Sequence, residues 1–295
     1  MAGNVLIPLD GSRLAERSLA FVPALSRLEG FRLTLLSVVD HNEDVARLTE
    51  SEALDRETNV LRTYLHEIAA DLQKFHNIQA VVEVIRGNPA EEIQTYMQRE
   101  GIDLLVVSTH GRSGISRWRL GSVADKLIRS TNRQTLVVGP LAGDEEGWLE
   151  LGGRAPFQKI LLPVDGSELA EQVFPTVQRF ATAFGSEVHV VRVIGLAPYA
   201  SMEASYTPEL FDSLDEAAKD YVARVAAGIV APGGVRTQVL MGSPAVALED
   251  YVEKAGIDLV VMTTHGRGGI TRTALGSVAD RMIGGKAPVL VIRAS

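Results

Sequence analysis

No cysteine occurs anywhere in the 295 residues. That absence excludes disulfides, thiolate nucleophiles, thiol redox switching and cysteine-ligated metals together. Basic residues are outnumbered, giving a net charge of −8, so the chain lacks the electrostatic footprint of a DNA or RNA binder. No run approaches the roughly 18 apolar residues of a spanning helix, and neither a nucleic acid nor a membrane is an expected partner. The opening MAGNVLIPLD has no basic start and no hydrophobic region of signal-peptide length, so the expected location is cytoplasmic. Two phosphate-binding signatures are missing as well. There is no G-x-x-x-x-G-K-[ST], since Gly285-Lys286 lacks the rest of it, and the Gly266-Arg267-Gly268 run fails as G-x-G-x-x-G at Thr271. No catalytic base, nucleophile pair or metal-ligand spacing emerges, so no catalytic residue and no metal ligand is assigned.

What the chain does contain is a repeat. Gly101–Asp125, GIDLLVVSTHGRSGISRWRLGSVAD, recurs as Gly256–Asp280, GIDLVVMTTHGRGGITRTALGSVAD, identical at 18 of 25 positions and 155 residues on. Ile7–Glu16 (IPLDGSRLAE) matches Leu162–Glu171 (LPVDGSELAE), and Gly87-Asn88-Pro89-Ala90 matches Gly242-Ser243-Pro244-Ala245, at the same offset. A unit this long is a whole domain, because solenoid repeats run about 20–50 residues. The expected organisation is a first domain over 1–140, a linker over 141–157 and a second domain over 158–295. The stretch Gly139–Phe157 is rich in glycine, proline and acid without period, and Trp148 and Leu149 within it are expected to dock on a domain surface.

Apolar periodicity predicts strands at Val5–Leu9, Phe31–Val39, Ile78–Ile85, Ile102–Val107 and Gln134–Val138. Between them it predicts helices over Ser12–Leu28, 44–76, Pro89–Glu100 and Ser122–Arg129. The second copy repeats the order with strands at Lys159–Val164, Val188–Ile194, Val235–Leu240, Leu259–Met262 and Val289–Ile292, and a long helix over Thr207–Val230. Strand alternating with helix five times argues for an α/β domain on a parallel sheet, built twice in tandem.

In such sheets ligands bind beyond the carboxyl ends of the strands, where the strand order reverses. Asp10, Val38 and the run Ser108-Thr109-His110-Gly111 all follow predicted strands. The loop through Gly111 and the turn at Gly121-Ser122 have the form of a phosphate cradle, because a helix start offers unpaired N–H groups and a positive dipole. Each residue has a plainer reading too. Ser122 with Asp125 reads as a capping box, either alone or with the N–H groups of Ser122 and Val123 also serving a phosphate. Gly121 and Gly276 are turn glycines or close-approach glycines. Asp10 and Asp165 either open the first helix, with Ser12 and Ser167 as caps, or accept from a ribose diol. Pro8 and Pro163 leave neighbouring main-chain groups for an adenine edge. His110 and His265 suit loop hydrogen bonding rather than base or metal roles. Arg112, Arg117, Arg119, Arg267 and Arg272 are solvated charges or steer an anion.

These motifs resemble the universal stress protein family, in a form with two such domains in tandem. VLIPLDGS and ILLPVDGS look like the family's first strand, and THGR…LGS like its nucleotide loop. Its ATP-binding members carry G-x-x-G-x9-G-[ST]. The second glycine is matched by Gly111 and Gly266, the third by Gly121 and Gly276, and the hydroxyl by Ser122 and Ser277. The first glycine is replaced by Ser108 and Thr263, which add bulk beside the ribose. The resemblance implies adenine contacts from Pro8, Leu9, Val38 and Val107 with Asp10 on ribose, and from Pro163, Val164, Val193 and Met262 with Asp165 in the second copy. Arg112, Val123, Arg267 and Val278 complete the implied site. It also implies strand order 3-2-1-4-5, pairing of the two domains through their fifth strands or a homodimer, and ATP, AMP or ADP as ligand, with Mg2+ as a companion ion. The expected function is a stress-related regulatory protein that binds adenine nucleotide in one or both domains with little or no catalysis. The alternatives are a slow ATPase or nucleotide hydrolase, and a scaffold that has lost the nucleotide. Trp118-Arg119 in the first copy against Thr273-Ala274 in the second allows the two sites to differ.

Overall fold

The structure, a computed structural model, describes residues 3–40, 50–109, 121–142, 157–195, 208–264 and 275–293. The chain divides into two compact units, Met1–Arg154 and Ala155–Ser295. In the first unit the strands are β1 (Asn4–Pro8), β2 (Arg32–Asp40), β3 (Ala80–Gly87), β4 (Leu104–Ser108) and β5 (Gln134–Val138). They lie in the order β3-β2-β1-β4-β5 and every pairing is parallel. The helices are α1 (Arg13–Glu16), α2 (Val22–Leu25), α3 (Glu50–His76), α4 (Pro89–Arg99) and α5 (Ser122–Ser130).

The second unit repeats this with β6 (Lys159–Pro163), β7 (Glu187–Ile194), β8 (Val235–Met241), β9 (Leu259–Thr263) and β10 (Val289–Ile292) in the order β8-β7-β6-β9-β10, again all parallel. Its helices are α6 (Glu168–Glu171), α7 (Phe174–Phe184), α8 (Pro208–Ala227), α9 (Pro244–Ala255) and α10 (Ser277–Ile283). Both units therefore have the 3-2-1-4-5 order. The central strands are apolar except at their ends because helices cover both faces: Val5, Leu6, Ile7, Leu105 and Val106 are fully buried, as are Ile160, Leu161, Leu162, Val260 and Val261.

The helix expected over Ser12–Leu28 is broken. It runs as α1, a 3-10 turn over Arg17–Phe21, and α2. Pro23 has no N–H to give the preceding turn, and its ring crowds the carbonyl four residues back, so a continuous helix cannot pass it. The chain restarts with Pro23 in the first turn of α2, and Pro175 does the same for α7, where a missing N–H breaks no bond.

The apolar spacing of α3 puts Leu54, Leu61, Leu65, Ile68 and Leu72 on one stripe; the last four are buried and Leu54 is half-buried. The residues matching those four are Ala218, Val222 and Val225 of α8, with Ile229 just beyond its end. These are 157 residues on rather than 155, so the long helix is displaced by two positions relative to the strands. Phe157, the last residue of the expected linker, is fully buried in the second unit and packs edge-on against Phe180 and Phe184, with ring centroids 5.8 and 5.0 Å away.

The repeated Gly-Ile-Asp has a structural use that spacing did not reveal. Asp258 accepts the N–H groups of Gln158 and Lys159 at 2.9 Å each, and Asp103 accepts that of Asn4 at 3.2 Å. Each carboxylate thus ties the start of a first strand to the chain entering a fourth, and so fixes their register.

Candidate functional site

Register brings the expected site residues to one end of each sheet. In the first unit Leu6 pairs with Leu105 and Pro8 with Leu36. Carried on, those registers set Pro8 opposite Val107, and Asp10 level with both Val38 and Thr109. In the second unit Leu161 pairs with Val260 and Pro163 with Val191, which sets Asp165 level with Val193 and Thr264. Neighbouring strands lie about 4.8 Å apart, so this edge spans roughly 10 Å across three strands. β1 leads to β2 on one side, while β4 leads to β5 on the other. Asp10 therefore stands at the point where the strand order reverses, where open α/β sheets bind ligands.

On the β4 side the chain leaves at Thr109 and returns at Gly121, whose N–H donates to the Thr109 carbonyl at 2.5 Å. Gly276 and Thr264 repeat the bond at 2.8 Å. The first bond of α5 is Asp125 N–H to Gly121 O, at 2.8 Å, which leaves Ser122, Val123 and Ala124 with N–H groups that have no helical partner. The capping-box reading of Ser122 is corrected here. Gly121 is the N-cap, and among the described residues no side chain caps the helix. Ser122 is already the first helical residue, so its hydroxyl is not placed to accept from the turn above. Asp125 instead accepts from Arg129 Nε at 2.7 Å. In the second unit Gly276 is likewise the uncapped N-cap of α10, leaving Ser277 and Val278 in its first turn. Ser122 and Ser277 are exposed.

On the β1 side Asp10 has a settled local role. Its Oδ1 accepts from Ser12 N–H at 3.0 Å, and Ser12 Oγ accepts from Ala15 N–H at 3.1 Å as the N-cap of α1. Asp165 accepts from Ser167 N–H at 2.9 Å and from its hydroxyl at 2.6 Å, and Ser167 caps α6. Gly11 and Gly166 sit between, at φ of 79° and 84°, the left-handed region that favours glycine. Both carboxylates are half-buried. The main-chain groups next to Pro8 are not left over for a ligand, contrary to expectation. Leu9 N–H donates to Leu36 O at 2.8 Å, and Ser37 Oγ donates to Leu9 O at 2.7 Å. Val164 N–H donates likewise to Val191 O at 2.9 Å. Among the described residues the open main-chain edge lies two residues further along β2. Successive residues of a strand turn their polar groups to opposite neighbours, so Val38 points the way Leu36 does, towards the side that β1 has left. Val193 stands equivalently beyond Val191. Both are half-buried.

Val107, Met262, Leu9, Val164 and Thr263 are buried, while Ser108 is half-buried. Ser108 and Thr263 are the last residues of β4 and β9, paired with Val138 and Ile292. Gly111, Arg112, Gly266 and Arg267, with His110, His265, Arg117, Arg119, Arg272, Trp118, Trp148 and Leu149, lie outside the described residues. Among the described residues no group of three or more His, Asp or Glu could hold a metal ion, and no helix is long and apolar enough to cross a membrane.

One tyrosine beside each site escaped the spacing argument. Tyr64 of α3 donates to Glu16 Oε1 at 3.0 Å, and Tyr221 of α8 to Glu171 Oε1 at 3.1 Å. Burial pushes the Tyr221 phenol up from its ordinary value of 10.0 to about 12, with help from the charges of Glu171 and Asp165. Tyr64 is raised in the same way, by burial and then by Glu16 and Asp10. Arg192, which stands where the first unit has Ser37, lies over the Tyr221 ring at 4.9 Å. The folded chain holds the Tyr221 proton more tightly than the unfolded chain does. Its contribution to stability is therefore full below pH 10.0 and is lost as pH rises through about 12. Urea unfolding across that window is expected to show the fall, and Tyr221→Phe to reduce its slope. An unchanged slope in the variant would contradict this account.

A sequence model of the universal stress protein family matches residues 1–139 and again 156–293. The universal stress protein MJ0531 of Methanocaldococcus jannaschii is 31% identical over 144 residues, covering 48% of this chain and 85% of that protein. The universal stress protein Rv2005c of Mycobacterium tuberculosis is 24% identical over 309 residues, covering 99% of this chain and 97% of its own. The crystal structure of a universal stress protein from Archaeoglobus fulgidus covers 100% of both chains with a TM-score of 0.72 at 19% identity, a likeness of fold.

Proposed function

The chain belongs to the universal stress protein family, and from that premise we propose that it is a stress-related regulatory protein whose domains hold an adenine nucleotide, ATP or AMP, with little or no turnover. The observation that carries the reading is the convergence at the switch point of each unit. A carboxylate, an open main-chain edge and an uncapped helix start meet at one end of one sheet, twice.

The three groups match the three parts of a nucleotide. Ser122, Val123 and Ala124 offer N–H donors to a phosphate, and Asp10 offers acceptor oxygens to a ribose diol. Val38 offers main-chain groups to an adenine edge, walled by the apolar Val107. Gly121 and Gly276 support the same reading. Their φ and ψ, −56° and 146°, and −63° and 146°, are open to any residue, so the turn itself does not demand glycine. A side chain there would stand over the helix start, which a phosphate has to approach closely. Mg2+ would enter with the phosphates, since the described residues offer no ligand cluster. A cytoplasmic location and a homodimer belong to the same proposal.

Denaturing the purified protein and identifying released nucleotide by mass spectrometry, with stoichiometry, tests the reading. Adenine nucleotide is expected at one or two per chain. Its absence, with no heat of ATP binding in calorimetry, would refute it. Steady phosphate release that is lost in Gly121→Val or Gly276→Val would replace it with the ATPase.

A further inference from the structure

Tyr64 and Tyr221 occupy equivalent places, although their separation of 157 residues differs from the 155 between Glu16 and Glu171. The long helices have diverged: between Glu52–Ala70 and Glu209–Ala227 only 5 of 19 positions are identical, and the tyrosine is one of them. Both phenols cross from the long helix to the short helix after the first strand and donate to equivalent glutamates, Glu16 and Glu171. What is repeated is the contact, in spite of the shift in sequence.

The contact leads directly to the ribose-facing carboxylate. Glu16 N–H donates to Ser12 O at 3.2 Å, and Ser12 N–H donates to Asp10 Oδ1 at 3.0 Å. In the second unit Glu171 closes the four-residue helix that Ser167 caps, and Ser167 holds Asp165 through both its N–H and its hydroxyl. A helix of four residues has almost no stability of its own, so the attitude of this turn depends on what grips it from outside. The charge of Asp10 reaches Tyr64, and that of Asp165 reaches Tyr221. Each phenol therefore stays a protonated donor beside two carboxylates.

We propose that Tyr64 and Tyr221 are positioning residues for the ribose end of the two sites. Each grips Glu16 or Glu171 and so fixes the Asp-Gly-Ser turn that presents Asp10 or Asp165; the proposal rests on the nucleotide reading above. The long helix becomes part of the site in this way, without touching adenine or phosphate. Removal of the phenolic oxygen should blur recognition of the ribose and leave the other two contacts intact.

The test is calorimetric titration of the full chain with ATP and with 2′-deoxy-ATP, for wild type and for the Tyr64→Phe/Tyr221→Phe double variant. Wild type is expected to prefer ATP by about ten-fold, the worth of one hydrogen bond to a charged acceptor. In the double variant ATP binding should weaken by about ten-fold while 2′-deoxy-ATP changes little, so that the preference nearly vanishes. Glu16→Ala/Glu171→Ala should give the same loss from the other side of the contact and serves if the phenylalanine variant does not fold. Equal weakening of both nucleotides, or a lower melting temperature with the preference intact, would mean that the tyrosines only pack, and would overturn the proposal alone. Absence of binding by wild type would overturn the nucleotide reading and the positioning role together.

Discussion

Asp10→Ala is expected to weaken nucleotide binding at the first domain by about a hundred-fold, and Asp165→Ala to do the same at the second. The magnitude follows from two hydrogen bonds between a carboxylate and the ribose hydroxyls, each contributing about 1.5 kcal/mol net. At ordinary titration concentrations such a loss reads as one site fewer. Alanine also removes the acceptor for Ser12 or Ser167 N–H, so some loss of stability will accompany it. Asp10→Asn separates the two effects. Its amide oxygen keeps the turn but its NH2 cannot accept, and about ten-fold of the affinity should go with the turn intact. Calorimetric stoichiometry with melting temperatures decides the matter. An unchanged stoichiometry in both alanine variants would refute the assignment of these carboxylates to the ribose.

The second large effect lies in the core of the second unit. Phe180→Ala removes a fully buried ring that touches Phe157 edge-on and lies 5.7 Å from Phe184. Truncation of a buried phenylalanine costs about 3–5 kcal/mol, through lost transfer energy and the cavity left behind. Native-state hydrogen exchange is the suitable measurement, since it reads each unit separately. Amides of β6 and β7 should lose protection by that amount. The first unit has Leu25 at the matching position, also fully buried, and Leu25→Ala should cost about 2–5 kcal/mol there. A loss below about 1 kcal/mol for Phe180→Ala would show that the aromatic trio does not hold the unit together.

The strands were legible because a strand covered on both faces must be apolar nearly throughout, as Val5–Ile7 and Leu104–Val107 are. The register of the repeat then brought Asp10, Val38 and Thr109, and Asp165, Val193 and Thr264, level at one end of each sheet. The break after Glu16 was equally available, since Pro23 stands in the sequence, but an apolar 3.6 period continues across it and conceals it. Ser122 misled because a hydroxyl three residues before a carboxylate looks the same whether it sits at the N-cap or one residue inside the helix. Only the backbone angles of Gly121 separate the two. Leu9 misled because the hydroxyl that occupies its carbonyl comes from Ser37, on a different strand. The tyrosine contacts were hidden for another reason. The long helices are out of step with the rest of the repeat by two residues, so aligning the copies at one offset pairs Tyr64 with Lys219 and misses Tyr221.

The bond from Gly121 N–H to Thr109 O, and its counterpart from Gly276 to Thr264, ties the end of the fourth strand of each unit to the start of the helix that follows. Eleven residues separate the two bonded positions in each unit, 110–120 and 265–275, and the same atoms make the bond in both. Exchange of the two eleven-residue sequences is therefore expected to leave the strand before and the helix after in place, as hydrogen exchange on β4 and α5 would show. Tandem duplication thus supplies two frames of equal length whose inserted sequences differ, Trp118-Arg119 in one against Thr273-Ala274 in the other.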